Sequence, residues 1–337
     1  TGFITVFPRY LFEGIGLLFI GIAGIIIYSN VDNSGNVIAL LGAFALGAQK
    51  LLPTMQSSYK SWSLLYFYNK PLDRILDLIA LNSNKNTSIK GKLSFKNEIE
   101  IRNLSFSYSN DHKNISKDIN LKIKKGENIG IFGKTGSGKT TFINILMGIL
   151  TPNNGNIFID NVELFNQEKH AIKTKWKNNI ALVPQDVFLY DSSIIENIAF
   201  CIPKNKIDVK RAINAAKIAH ANEFICKTNN GYETIVGDKG IKLSGGQKQR
   251  LGLSRAIYSN REILILDEST SALDFKTEKL VMESIFNTKT NRNLTTITIA
   301  HRLSTLRYCD KVVELDSGEI KKVYNNKEFL KKFQNLF

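Results

Sequence analysis

The run Gly133-Lys134-Thr135-Gly136-Ser137-Gly138-Lys139-Thr140-Thr141 constrains this chain more than any other stretch. Before it stands an apolar, strand-like "NIGIF"; after it comes "FINILMGIL", which reads as a helix. A glycine, four residues, then Gly-Lys-Thr is the spacing of a loop that curls backbone N–H groups around an anion with no Cβ in the way. The loop feeds a helix N-terminus, where unpaired N–H groups and the helix dipole favour phosphate. Lys139 is then placed to reach the β- and γ-phosphates of a nucleotide, and the Thr140 hydroxyl to ligate Mg2+. Strand, loop and helix in this order predict an α/β P-loop fold.

A second element is "REILILDEST", residues 261–270. Ile263 to Leu266 reads as a buried strand, and Asp267 falls at its end, where a carboxylate can hold Mg2+ through water. Glu268 follows directly, placed to orient or deprotonate an attacking water. A third element, "KLSGGQKQRLGLSRAI", sets Ser244, Gly245, Gly246 and Gln247 at the start of a helical run. That is a second anion-binding arrangement in a chain with one phosphate loop.

On these three elements the sequence resembles the ATP-binding cassette family, whose signature is LSGGQ. The resemblance implies that the signature of one subunit closes on ATP held by the phosphate loop of another, giving a cassette dimer with two shared sites. Other residues fall in the same family order. Tyr108 matches the aromatic that stacks on adenine. Gln185, in "ALVPQDVFLY", matches the glutamine that senses Mg2+ and the membrane domain. Ser271-Ala272-Leu273-Asp274 matches the D-loop, a contact across the dimer. His301, in "TTITIAHRLST", matches the switch histidine that touches the γ-phosphate, and Asp238 the place where exporters contact opposing transmembrane loops. The stretch "DVKRAINAAKIAHANEFI" between Gln185 and Ser244 is consistent with the family's helical subdomain. The resemblance thus implies ATP and Mg2+, with Glu268, His301 and Gln185 in the hydrolytic step.

Ahead of the cassette the chain changes character. Residues 10–28 are apolar apart from Glu13; at 1.5 Å per residue, about 19 residues cover most of a hydrocarbon core roughly 30 Å thick. A shorter apolar stretch runs from Val37 to Pro53. The turn between them, "SNVDNSGN", holds no Lys or Arg, whereas Arg9 precedes the first segment, Lys50 lies near the far end of the second, and Lys60 and Lys70 follow it. Basic outer ends suit a transmembrane hairpin with both ends in the cytoplasm. Fused ahead of a cassette, such a hairpin resembles the last two of six spans in an exporter half. The first four spans and both coupling helices are absent, as expected of a fragment or a truncated gene beginning on Thr1. "PRYLFEGIG", residues 8–16, further resembles lipid-linked oligosaccharide flippases, so a lipid-linked oligosaccharide, lipid or peptide is the expected cargo. A regulatory clamp and a soluble repair or translation ATPase are the alternatives.

From Ser57 to Leu81 apolar residues recur at helical spacing, with Pro71 expected to interrupt the helix or start a new one. "NSNKNTSIKGK", residues 82–92, reads as a linker. The expected organisation is transmembrane helices over 1–70, a linker over 71–93 and the cassette over 94–337. The formal net charge of +15 is spread over lysines with no run that singles out a nucleic-acid surface, so none is expected as partner. The expected partners are a second half-transporter, identical or different, membrane lipid and the transported substrate, in the cell inner (plasma) membrane with the cassette in the cytoplasm. Cys201, Cys226 and Cys309 show no metal or disulfide spacing and are expected to be reduced, partly buried thiols.

Overall fold

A computed structural model describes residues 2–30, 34–83, 91–108, 115–166, 170–292, 294–300 and 302–334. The chain divides into two units, Thr1–Ser88 and Ile89–Phe337.

In the first unit, helix α1 (Gly2–Asn30) is followed by helix α2 (Ser34–Ser83), and the two pack together, Gly16 lying against Leu52. The long second helix corrects one expectation. It runs unbroken through both Pro53 and Pro71, so Pro71 neither ends it nor starts another. A proline removes one backbone hydrogen bond and costs about 3 kcal/mol, which kinks or strains a helix but leaves the bonds on either side to hold it. Just beyond Pro53 the hydroxyls of Thr54, Ser57 and Ser58 donate back to helix carbonyls at 2.7–2.9 Å, adding side-chain bonds to the weakened turn. The helix also covers residues 71–83 of the stretch assigned to the linker, in keeping with the helical spacing that runs to Leu81; residues 84–90 lie outside the described residues. Among the described residues, no helix is long and apolar enough to cross a membrane. The side chains of residues 2–9, 12, 27, 28 and 30 of α1 fall outside that description.

The second unit is α/β. Strands β1 (Glu98–Phe106), β2 (Ser116–Lys124), β4 (Asn154–Ile159) and β5 (Val162–Glu163) form an antiparallel sheet in the order β2-β1-β4-β5. A six-stranded sheet follows the order β10-β9-β3-β8-β7-β6. It contains β3 (Asn128–Phe132), β6 (Ile180–Val183), β7 (Ile263–Asp267), β8 (Thr295–Ile299), β9 (Lys311–Asp316) and β10 (Glu319–Asn325). All its pairings are parallel except the edge hairpin β9–β10. The central strands are buried on both faces, as parallel strands covered by layers on either side must be; that is why "NIGIF" and "ILIL" read as unbroken apolar runs.

Helix α3 (Lys139–Leu146) packs Phe142, Ile143 and Ile145 into a core shared with Ile99, Ile101 and Ile157 of the antiparallel sheet and Ile131 and Leu315 of the parallel one. A second core gathers Leu189, Ile194, Ile198, Ala215, Phe224 and Leu251 among helices α5 (Ile194–Ile198), α6 (Val209–Ile218), α7 (Asn222–Ile225) and α8 (Gly245–Ser259). This is the helical subdomain expected between Gln185 and Ser244. Helix α4 (His170–Lys177) precedes β6, α9 (Phe275–Arg292) lies between β7 and β8, and α10 (Asn326–Lys332) follows β10. Cys309 is buried, but Cys201 and Cys226 are exposed free thiols, not the partly buried ones expected. Cys201 lies in the turn after α5, and Cys226 caps the short α7, whose inward side is already filled by Phe224 and Ile225.

Candidate nucleotide site

The phosphate loop lies at the carboxyl end of β3, the end of a parallel sheet at which ligands bind. Its glycines are there for different reasons. A Cβ at Gly133 would sit 2.1 Å from the Leu315 carbonyl oxygen, so only glycine lets the loop leave β3 beside β9. Gly138 has φ +93° and caps α3 in the left-handed region, the bend that turns the loop into the helix. Lys139 is buried, and its Nζ donates to the carbonyls of Gly133 at 2.8 Å and Lys134 at 3.0 Å. The cation is thereby folded back over its own loop. Burial lowers its pKa below the ordinary lysine value, and the charges of Glu268 and Asp267 oppose that shift. The Ser137 Oγ is buried without a hydrogen-bond partner, an acceptor-rich hydroxyl held inside the loop. Lys134, Thr135, Gly136 and Thr140 are exposed, and Thr141 is buried on α3.

Parallel pairing brings the ends of β7 and β8 to the same end of the sheet. Ala300 N–H donates to Ile131 O at 3.2 Å, and Glu268 N–H donates to Ile299 O at 3.1 Å. The end of β8 therefore lies between the strand that leads into the phosphate loop and the strand that ends in Asp267 and Glu268. His301 follows Ala300 and lies outside the described residues. Glu268 adopts φ +48°, a left-handed conformation that a non-glycine residue keeps only where the surroundings enforce it, and such strain gathers at functional sites. Tyr108 stands at the rim: it is exposed, packs edge-on to Phe106 with centroids 5.0 Å apart, and its hydroxyl lies 3.4 Å from Thr141 Oγ1. Gln185 is exposed just past β6. The segment after it is fixed by Arg255 of α8, whose guanidinium donates to the carbonyls of Phe188 at 3.0 Å and Asn197 at 2.9 Å.

Ser244, Gly245, Gly246 and Gln247 are at the head of α8 rather than in the phosphate loop's own wall. Ser244 and Gln247 form a reciprocal capping box, the Gln247 side chain accepting from Ser244 N–H at 2.9 Å. Ser244 and Gly245 are exposed, so the helix head is presented outward. Behind it lies the D-loop. Gln249 donates to Ser271 Oγ at 3.1 Å and accepts from Ala272 N–H at 3.0 Å. Asp274 caps α9, accepting from Thr277 N–H at 3.0 Å; hydrogen bonding to Thr277 holds its carboxyl below the usual aspartate value.

Three residues of this frame escaped the sequence reading: Gln249, Glu278 and Arg302. The spacing Asp274-x3-Glu278, both carboxylates in a first helical turn, is the only local signal for Glu278. Arg302 had as its clue its place directly after the candidate histidine.

A parallel sheet with a phosphate loop at the carboxyl end of its strand defines a P-loop nucleotide-binding protein. Residues 116–271 match the family model described as ABC transporter, and that segment is an ABC transporter ATP-binding domain. The chain is 32% identical over 327 residues, 95% of its length, to the ATP-binding/permease protein YgaD of Bacillus subtilis (strain 168), whose name assigns it to multidrug export. It is 35% identical over 293 residues, 87% of its length, to the alpha-hemolysin translocation ATP-binding protein HlyB of Escherichia coli O157:H7. The alignments span 54% and 40% of those two proteins, so the chain corresponds to about half the length of its curated relatives. A solved bacterial Atm1-family ABC exporter with ATP bound superposes with a TM-score of 0.75 at 26% identity, covering 96% of this chain and 56% of that one.

Proposed function

We propose that this chain is the ATP-hydrolysing part of an exporter or flippase, acting as a cassette dimer in a membrane. The observation that carries the reading is the meeting at one sheet end of a buried lysine in a phosphate loop with the consecutive carboxylates Asp267 and Glu268, whose charges act on it. In this reading the loop N–H groups and Lys139 bind the β- and γ-phosphates, Lys139 exchanging its bonds to the Gly133 and Lys134 carbonyls for phosphate oxygens. Tyr108 stacks on the base. Glu268 takes the proton of the attacking water, His301 steadies the γ-phosphate, and Gln185 reports the state of the site to the membrane part. The outward head of α8, with Ser244 to Gln247, contacts the γ-phosphate held by the other cassette, and Asp274 faces the same junction.

Mg2+ fits the donors present. The Thr140 hydroxyl, the Asp267 carboxylate and the Gln185 amide oxygen are hard oxygen ligands, and Mg2+ completes its shell with water and phosphate. When bound it supplies positive charge against the phosphate oxygens.

The first unit supports a membrane location. Large apolar side chains face outward along both helices, among them Leu17, Phe19 and Ile25 of α1 and Leu46 and Leu51 of α2. Water-exposed surfaces rarely carry such continuous apolar area, and hydrocarbon is its natural surrounding. We take residues 1–70 as membrane helices with the cassette on the cytoplasmic side of the inner membrane. The exporter names of HlyB and YgaD support outward transport; the cargo class is a lipid-linked oligosaccharide, lipid or peptide.

Steady-state ATP turnover of Glu268→Gln tests the hydrolytic assignment. The expected fall is about 100-fold or more with nucleotide affinity retained; unchanged turnover rejects the role of Glu268.

A further inference from the structure

We propose that Glu278 is a positioning residue that locks the D-loop to the segment bearing His301; the inference rests on the hydrolytic reading above. Glu278 stands in the first turn of α9, 8 residues after Thr270 and 27 before Thr305, and its side chain is only 5% exposed. One carboxylate oxygen accepts the Thr270 hydroxyl at 2.9 Å and the Thr305 hydroxyl at 2.7 Å. The other accepts from the Arg302 guanidinium at 3.3 Å. The same guanidinium donates to the carbonyls of Leu273 at 3.3 Å and Ser271 at 3.4 Å. A single buried carboxylate thus ties together the loop two residues past Glu268, the D-loop and the residue next to His301.

The chemistry explains why an acid stands there. A buried carboxylate is costly unless paired and fully hydrogen-bonded; here two hydroxyls and one guanidinium meet it. Arg302 is half exposed at 51%, and its planar donors reach three acceptors, one on α9 and two on the D-loop, which lysine could not match. When the D-loop shifts, the Leu273 and Ser271 carbonyls pull on Arg302, and Glu278 carries that pull to Thr305 and Thr270. Glu278 need not touch nucleotide. It sets whether the water-activating and phosphate-sensing residues are in place together.

The test is a kinetic cycle on the full chain in membranes, with Glu278→Gln, Arg302→Met and their combination. Glu278→Gln keeps an oxygen for the two threonine hydroxyls and removes the charge that holds Arg302. We expect turnover to fall about 10- to 100-fold, the scale of a small misplacement of catalytic groups, with the Kd for ATP unchanged. The double variant should be no slower than the slower single one, because both remove one linkage. Thr305→Val, near-isosteric at a buried position, should lower turnover several-fold, again without loss of ATP affinity, and covers the case in which Glu278→Gln does not fold. Parent-like turnover in Glu278→Gln, or fully multiplicative losses in the cycle, overturns the proposal. So does a fall in ATP affinity matching the fall in turnover, the mark of a merely structural role. A parent protein that binds ATP without hydrolysing it removes the underlying functional reading instead, and the proposal with it.

Discussion

Lys139 shows how a single side chain can be both structural and poised. In this structure its ammonium donates to two carbonyls of its own loop and so braces the loop's curvature. Removing it costs the charged hydrogen bonds to phosphate, about 1.5–3 kcal/mol. Lys139→Ala should therefore bind ATP about 10- to 100-fold more weakly in an equilibrium titration, and parent-like affinity would dismiss its role. Lys139, Asp267 and Glu268 were legible in the sequence because the phosphate loop and the acid-tipped strand are local patterns with fixed spacing. Glu278, Arg302 and Gln249 were not, because their bonds join positions that only the parallel sheet brings together. The left-handed backbone of Glu268 was equally invisible: nothing in "LDEST" announces a positive φ.

At the scale of elements, apolar runs and glycines located the strands and the phosphate-binding helix, while proline misled. Pro71 is a local signal for a break, yet the helix around it continues, since many intact turns outweigh one missing bond. The antiparallel sheet carries a further feature that pairing, not periodicity, creates. Glu100 on β1 faces Lys122 on β2 in register, with Arg102 beside it, and Lys122 Nζ approaches it to 2.7 Å. Hydrogen bonds from Arg102 and then Lys122 pull its pKa from 4.5 to about 2. The folded value lies below the unfolded one, so the contribution is complete above pH 4.5 and fades as pH falls toward 2. Thermal melts of the parent and Glu100→Gln should differ most above pH 4.5 and converge near pH 2; a gap that does not change with pH would exclude this linkage. Solvent exposure and salt keep the effect small.

For the whole molecule, the outward-facing α8 head is the feature that asks for company. A phosphate loop and a signature helix on one chain, the latter exposed, predict that ATP drives two cassettes together. With hydrolysis blocked by Glu268→Gln, saturating ATP should double the mass measured by light scattering in detergent; a monomer under those conditions would end the shared-site reading. The proposed membrane placement has a consequence for α2. Fifty residues of helix extend about 75 Å, of which roughly 30 Å can be immersed in hydrocarbon. On that proposal more than half of the rod would stand clear of the lipid, and Lys60, the first lysine past the apolar stretch, would mark the waterline. A torque applied to that water-borne stem would act on a lever of about 45 Å, longer than the hydrocarbon core is thick.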